Sequence, residues 1–132
     1  MPVRVSSTLD EATEAIVSRV IGAAIAVHTA LGPGLLEAIY ADAMAIELEW
    51  LGLCFERERT VSLQYREQPL RVQRLDLVVE GRVLVEIKAI ERLHLVHQAQ
   101  VMSYLRASGL RVGLLMNFNA YLLRDGLRRI VM

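Results

Sequence analysis

Residues 74–88 read Arg74-Leu75-Asp76-Leu77-Val78-Val79-Glu80-Gly81-Arg82-Val83-Leu84-Val85-Glu86-Ile87-Lys88. Apolar and β-branched residues fill both halves, and the Glu80-Gly81 pair between them is typical of a tight turn, so the stretch predicts a β-hairpin. Three charged side chains, those of Asp76, Glu86 and Lys88, interrupt strands that are otherwise apolar. Because a buried charge is costly unless it is paired or binds a metal, these three residues need an explanation.

The spacing of the three charges places them together. Side chains alternate along a strand, so Glu86 and Lys88 share one face, with Cα atoms roughly 6.5–7 Å apart. The positions of Asp76 and Glu86 differ by an even number. If the turn has an odd number of residues, or carries a glycine bulge at Gly81, Asp76 faces the same side. The hairpin then presents two carboxylates and an amine on one patch.

Lys88 stands out in the composition, because the other fourteen of the fifteen basic residues are arginines. An ammonium is a compact hydrogen-bond donor whose pKa responds to its surroundings, which a guanidinium does not match. The simplest alternative is an exposed Glu86–Lys88 ion pair on an edge strand. The apolar residues Val83, Leu84, Val85 and Ile87 favour a central strand instead.

Two helices are expected before the hairpin. Thr8 and Glu11 have the spacing of a capping box, which predicts a helix from there to about Ala30. A second helix is predicted over 35–51, with Glu37 in its first turn beside an apolar stripe. A carboxylate there also suits the helix dipole, and that local role is the alternative to a functional one. His28 is expected to cap the first helix or face solvent, with no chemical role.

The remaining elements follow from apolar patterning and turn residues. We expect an exposed or edge strand over 53–63, a strand over 70–79, a helix over 94–107, a strand over 112–117, and an Asp125-Gly126 hairpin turn into a last strand over 127–131. Helices and strands in this order indicate an α/β or α+β fold with a central mixed sheet flanked by helices.

Length and composition limit the possibilities further. A chain of 132 residues with 54% hydrophobic content predicts one globular domain over 1–132, and the apolar excess suggests a homodimer through the first helix or an edge strand. Zero net charge argues against a strong, autonomous nucleic-acid clamp, although weaker or partner-assisted binding stays open. Cys54 is alone, residues 1–7 lack the apolar region of a signal peptide, and no run reaches membrane length, so we expect a cytoplasmic protein.

The pattern of Asp76 followed by Glu86-Ile87-Lys88 resembles the PD-(D/E)XK phosphodiesterase superfamily, the fold of many restriction and repair nucleases. Gly34-Leu35-Leu36-Glu37-Ala38-Ile39-Tyr40 also matches the Gly-x-x-Glu-x-x-Tyr motif of the GxxExxY protein family, a branch of that superfamily. Gln100-Val101-Met102-Ser103-Tyr104 resembles the Gln-x-x-x-Tyr helix found after the catalytic lysine in exonuclease-like members. Leu75 stands where the superfamily's name has a proline, a position that often varies among relatives.

The resemblance implies a role for each matching residue. Asp76 and Glu86 resemble the metal-binding carboxylates, with the carbonyl of Ile87 as a further ligand, and such oxygen donors suit Mg²⁺ or Mn²⁺. Glu37 matches a glutamate that holds a metal directly or through water. Lys88 resembles the residue that positions and polarises the attacking water. Gln100 and Tyr104 would bind or orient the scissile phosphate, or brace the site.

Three functions therefore compete. The first is a metal-dependent phosphodiesterase that hydrolyses the DNA or RNA backbone. The second is a non-catalytic nucleic-acid-binding or assembly module that retains the nuclease fold. The third is a structural homo-oligomer whose charged patch is a salt-bridge network. A superfamily resemblance gives a reaction class rather than a biological role, so the substrate stays open.

Overall fold

The computed structural model describes residues 9–132. Its elements are α1 (Glu11–Leu31), α2 (Glu37–Trp50), β1 (Phe55–Tyr65), β2 (Gln68–Val79), β3 (Val83–Lys88), α3 (Leu95–Ser108), β4 (Val112–Asn117), a short 3₁₀ turn (Leu123–Gly126) and β5 (Leu127–Val131).

The five strands form one mixed sheet in the order β1-β2-β3-β4-β5. β3 and β4 are parallel, whereas the other neighbouring pairs are antiparallel. The parallel pair needs a crossover, and α3 supplies it. β3 lies at the centre with five of its six residues buried, which confirms the central strand and the predicted mixed sheet.

Helices cover the two faces of the sheet. One buried cluster joins α1 and α2 to the sheet through residues such as Val20, Met44 and Val85. The other joins α3 to the opposite face through Leu84, Val101 and others. β3 alternates between the two clusters, as a strand buried on both faces must. The result is a three-layer α+β core.

The turn between β2 and β3 settles which way Asp76 faces. Val79 pairs with Val83, so three residues, 80–82, form the connection. Glu80 and Gly81 both have positive φ angles, of 53° and 65°, and the Arg82 N–H donates to the Val79 carbonyl at 3.0 Å. These are the features of a hairpin turn followed by one extra residue. The odd count puts Asp76 and Glu86 opposite each other, as predicted.

The N-terminus of α1 differs from the expected capping box. Asp10 caps the helix, because its Oδ1 accepts from the Thr13 N–H at 2.7 Å, and the helix begins at Glu11. Hydrogen bonds from the Thr13 hydroxyl and then from its backbone N–H hold the pKa of Asp10 below its usual range. The short carboxylate of Asp10 directly precedes the first turn, which is the position from which a side chain caps a helix. Thr8 itself lies outside the described residues.

The expectation that His28 caps α1 or faces solvent was wrong. The side chain is buried, and its Nε2 lies 2.8 Å from the Ala120 carbonyl oxygen in the connection after β4.

Two further expectations were also wrong. No apolar run was expected to reach membrane length, yet α1 is long and apolar enough to cross a membrane (mean hydropathy 1.4). Its buried residues pack against the sheet here. Asp125 and Gly126 do not form a two-residue hairpin turn, since they belong to the 3₁₀ turn in a longer connection over 118–126. Gly126 is there for close packing, because a Cβ atom would lie 2.5 Å from the Asn117 carbonyl oxygen.

Candidate active site

The ladder between β2 and β3 stops where the charged residues begin. The last backbone pair is Leu77 with Val85. Beyond it, the Asp76 N–H donates to Glu86 Oε1 at 3.3 Å, and the Ile87 N–H donates to Asp76 Oδ2 at 2.8 Å. The two carboxylates thus take the place of the ladder by accepting hydrogen bonds from the opposite strand. This exchange fixes both side chains at the point where the β2–β3 ladder ends.

Burial makes this carboxylate pair electrostatically unfavourable. Glu86 is only 5% exposed. Desolvation, reinforced by the charge of Asp76, raises the pKa of Glu86 to about 8. Desolvation likewise raises the pKa of Asp76, against the hydrogen bond from Ile87 and the nearby Lys88 amine. Without a cation, the pair therefore shares a proton near neutral pH.

Glu37 and Lys88 lie within electrostatic reach of that pair. The pKa of Glu37 is raised by desolvation and then by Asp76, while Lys88 lowers it. Lys88 also favours the ionised forms of Asp76 and Glu86. Among residues 9–132, however, Lys88 makes no direct ion pair with Glu86. The exposed ion-pair alternative thus does not describe this site, in which one half-buried amine faces three carboxylates.

The tyrosine of the Gly-x-x-Glu-x-x-Tyr motif braces the loop before Glu37. The Tyr40 hydroxyl donates to the Gly32 carbonyl at 2.6 Å and accepts from the Leu35 N–H at 3.1 Å. Its ring stacks on Phe118, with centroids 4.8 Å apart. Because Tyr40 lies one turn after Glu37, these contacts fix the start of α2 and hence the position of the carboxylate.

An asparagine on β4 holds the segment that follows Lys88. Asn117 is 2% exposed, and its side chain accepts from the Ile90 N–H at 3.1 Å and donates to the Ile90 carbonyl at 3.0 Å. Asn119 adds a second donor to the same carbonyl at 3.2 Å. The Phe118 N–H donates to the Lys88 carbonyl at 2.9 Å. The end of β3 is therefore held from β4, which restrains the backbone of the lysine.

α3 brings Gln100 and Tyr104 to the same cluster. Tyr104 is buried, and its pKa is raised by desolvation and by the charges of Glu86 and Asp76, while a hydrogen bond with Gln100 lowers it. The Tyr104 hydroxyl donates to Gln73 Oε1 at 3.5 Å. The structure thus brings all six predicted side chains together, with Glu37 on one layer and Gln100 and Tyr104 on the other. Ile87 contributes its N–H to Asp76 and its side chain to the core, and the ligand role of its carbonyl stays a prediction.

Sequence reasoning missed Glu58 and Gln73. Glu58 lies on β1 between Arg57 and Arg59, which pair with Leu77 and Leu75, so it stands opposite Asp76. Its negative charge contributes to the raised pKa of Asp76. Its φ of 55° is unusual for a residue with a side chain. Only the register between β1 and β2 shows that Glu58 lies opposite Asp76. The alternating charges of β1 do not indicate this in the sequence.

The donor chemistry of this cluster fits a divalent cation. Carboxylate oxygens are hard ligands, and a bound cation would relieve the repulsion within the Asp76–Glu86 pair. Within residues 9–132, no group of three or more His, Cys, Asp or Glu side chains is gathered closely enough to hold an ion. Mg²⁺, however, is commonly bound through one or two carboxylates, with water and substrate phosphates completing its shell. Asp76 and Glu86 are therefore the pair that fits.

A mixed sheet with two carboxylates and a lysine where its central strands diverge defines a nuclease-like core. A family model described as the PD-(D/E)XK nuclease superfamily matches residues 14–130. The chain belongs to this superfamily. Comparisons with curated proteins and with solved structures find no match.

Proposed function

We propose that this protein is a metal-dependent phosphodiesterase that hydrolyses the backbone of DNA or RNA. The observation that carries the proposal is the placement of Asp76, Glu86 and Lys88 where the β2–β3 ladder ends, with Glu37 facing them. A salt-bridge network explains this cluster poorly, since three carboxylates face one amine. Membership of the nuclease superfamily supports the same reaction class.

Each side chain has a role that its position supports. Asp76 and Glu86 would hold Mg²⁺ or Mn²⁺, with the Ile87 carbonyl as a further oxygen donor and Glu37 acting through a bound water. The bound cation would supply positive charge against the developing negative charge of the phosphodiester. The Lys88 amine would donate to the attacking water and orient it.

Gln100 and Tyr104 belong to the substrate side of the proposed site. Both lie on the face of α3 that meets the carboxylate cluster, and both carry hydrogen-bond donors. We assign them the binding or orientation of the scissile phosphate. The hydrogen bond from Tyr104 to Gln73 also supports a role in holding the site in place.

We also propose that the chain belongs to the GxxExxY branch of the superfamily. The motif residues have distinct structural tasks: Glu37 points toward the carboxylate pair, and Tyr40 fastens the preceding loop. Gly34 has a φ of 99°, which only glycine adopts readily. The motif residues therefore act together to position one carboxylate, that of Glu37.

A non-catalytic nucleic-acid-binding or assembly module is the second candidate. The zero net charge favours the assembly or partner-assisted form of this candidate, because a neutral chain binds the phosphate backbone weakly on its own. The spacing of the carboxylates, with no group of three gathered among the described residues, also favours it.

We further propose a cytoplasmic homodimer, in line with the composition.

The deciding experiment is a cleavage assay. Single- and double-stranded DNA and RNA are incubated with the protein and Mg²⁺ or Mn²⁺, and Asp76→Asn serves as the inactive control. We expect metal-dependent cleavage of at least one substrate by the parent protein and none by the variant. Binding without cleavage, unchanged in Asp76→Asn, would support the binding module instead.

A further inference from the structure

α2 is apolar on two faces rather than one. Its inner face buries Tyr40, Met44, Ala45 and Leu48. The residue before the helix and the outer face of the helix carry a second row, here called the α2 stripe: Leu36, Ile39, Ala43, Ile46 and Trp50. The steps along this row are three and four residues in alternation, which keeps the side chains in line along a helix. A surface helix normally turns polar residues outward, so the second row needs an explanation.

Most of the α2 stripe is open to solvent. Leu36 is 74% exposed, Ile39 42%, Ile46 69% and Trp50 85%. The row runs about 21 Å, since each helical residue advances about 1.5 Å. Single exposed apolar residues are ordinary, but a continuous row with polar borders is characteristic of a protein interaction surface.

The borders of the α2 stripe are acidic on both sides. With about 100° between successive helical residues, Glu47 falls on one side, and Asp42 and Glu49 fall on the other. α2 contains no lysine or arginine. Asp42 is paired with Arg57 at 2.9 Å, so Glu47 and Glu49 carry the remaining charge of the borders. A complementary surface must combine an apolar row with basic flanks.

We propose that the α2 stripe binds an amphipathic helix of a partner protein, with apolar residues at the same spacing and Lys or Arg on both flanks. Helix-in-groove recognition uses this pattern of anchors. A second copy of α2 fits less well, because it would bring carboxylates against carboxylates. Anionic phospholipid and nucleic acid fit less well for the same reason. The proposal goes beyond phosphodiester cleavage and holds whether or not the site is catalytic.

Trp50 makes the test direct, because it is the only tryptophan of the chain. Two synthetic peptides, each about four helical turns long, carry leucine at three- and four-residue steps. One has lysine flanks and its twin has glutamate flanks. We expect the lysine peptide to shift Trp50 emission to shorter wavelength in a saturable way. It should bind about tenfold tighter than its twin or better, and added salt should weaken it.

Three variants test the location and the charge rule. Ile46→Asp should abolish the emission shift. Val72→Asp, a matched change at a 61% exposed valine on β2, should leave it intact. A double change of Glu47→Lys and Glu49→Lys should reverse the preference toward the glutamate peptide.

Several results would overturn the proposal. Equal binding of both peptides would reject the charge rule, and so would an unchanged preference in the double variant. A shift that survives Ile46→Asp would place binding elsewhere. An emission shift that depends only on the protein's own concentration would assign the α2 stripe to a second copy. Binding of zwitterionic vesicles with no preference between the peptides would assign it to a lipid surface.

Discussion

At the scale of single residues, the site is defined by charge imbalance. Asp76 and Glu86 exchange hydrogen bonds with each other's backbone, so neither can turn away to relieve the repulsion. Lys88 is the one cation placed among them by the sequence pattern, and it makes no direct ion pair with Glu86 in the described part of the chain. A proton or a metal ion must therefore neutralise the remaining negative charge of the carboxylates.

Lys88→Arg tests the role of the amine. The arginine keeps the positive charge, but its longer planar fork cannot occupy the same place. On a substrate that the parent cleaves, we expect the rate to fall roughly 10²-fold or more, the usual order for one misplaced electrostatic group. Metal affinity and stability should change little. Lys88→Met should cleave no better, and parental activity in Lys88→Arg would remove the lysine from the mechanism.

Glu86→Gln tests the buried carboxyl through pH. The folded-state pKa is raised from 4.5 to about 8, so the folded protein binds more protons than the unfolded chain between these values. Without divalent metal, the free energy of unfolding should therefore fall as pH rises through this window, by at most about 1.4 kcal/mol per pH unit. The glutamine variant cannot titrate there, so its urea-unfolding free energy should fall less steeply.

The control for this pH series is Glu56→Gln. Glu56 is an exposed glutamate on β1, and its loss should leave the parental slope unchanged. Asp76 has a pKa shifted in the same direction, so a smaller decline should persist in Glu86→Gln. Parallel pH profiles for the parent and Glu86→Gln would contradict the assignment of Glu86 as the buried proton-binding group.

At the scale of elements, the hydroxyl of Tyr40 connects the glycine-rich loop to α2. Tyr40→Phe keeps the stacking on Phe118 but leaves the Gly32 carbonyl and the Leu35 N–H without this partner. We expect the free energy of unfolding to fall by about 1–3 kcal/mol, measured in urea. The matched change Tyr65→Phe, at a 65% exposed tyrosine, should stay within about 0.5 kcal/mol. Equal effects would show that the hydroxyl contacts are not stabilising.

Much of the element pattern was predictable because it is local. Apolar alternation identified the strands, and the even spacing of Asp76 and Glu86 gave their shared face once the turn length was odd. The cap at Asp10 and the connection over 118–126 could not be predicted in this way. Short-range signals such as Thr8–Glu11 and Asp125-Gly126 compete with tertiary packing. Glu58 depends on strand register and an unusual φ, neither of which its neighbours specify.

At the scale of the whole molecule, metal binding should appear as stability. A cation that binds only the folded state raises the melting temperature with its concentration. We expect Mg²⁺ or Mn²⁺ to raise the melting temperature of the parent, followed by circular dichroism. Asp76→Asn should lose this shift and remain folded, while Asp42→Asn, a surface carboxylate on α2, should keep it. An undiminished shift in Asp76→Asn would exclude this residue as a ligand.

The homodimer is a separate prediction about the whole molecule. A dimer through α1 or an edge strand would account for the apolar excess without using the α2 stripe. Light scattering at high micromolar concentration should give twice the 14.8 kDa mass of one chain. Trp50 emission should stay constant as the dimer forms. A monomeric mass across this range would contradict the prediction.

The parallel pairing of β3 with β4 has a consequence for biosynthesis. β3 carries Glu86 and Lys88, yet its second neighbour in the sheet is β4, which follows it in the chain only after α3. A nascent chain that has emerged only as far as β3 still lacks the strand and the α3 crossover that enclose the site. Such non-local pairing forms slowly compared with local hairpins. The carboxylates and the lysine therefore assemble only after α3 and β4 have been synthesised, so a product that stops at β3 carries the Asp76 and Glu86-Ile87-Lys88 motif without the elements that enclose it.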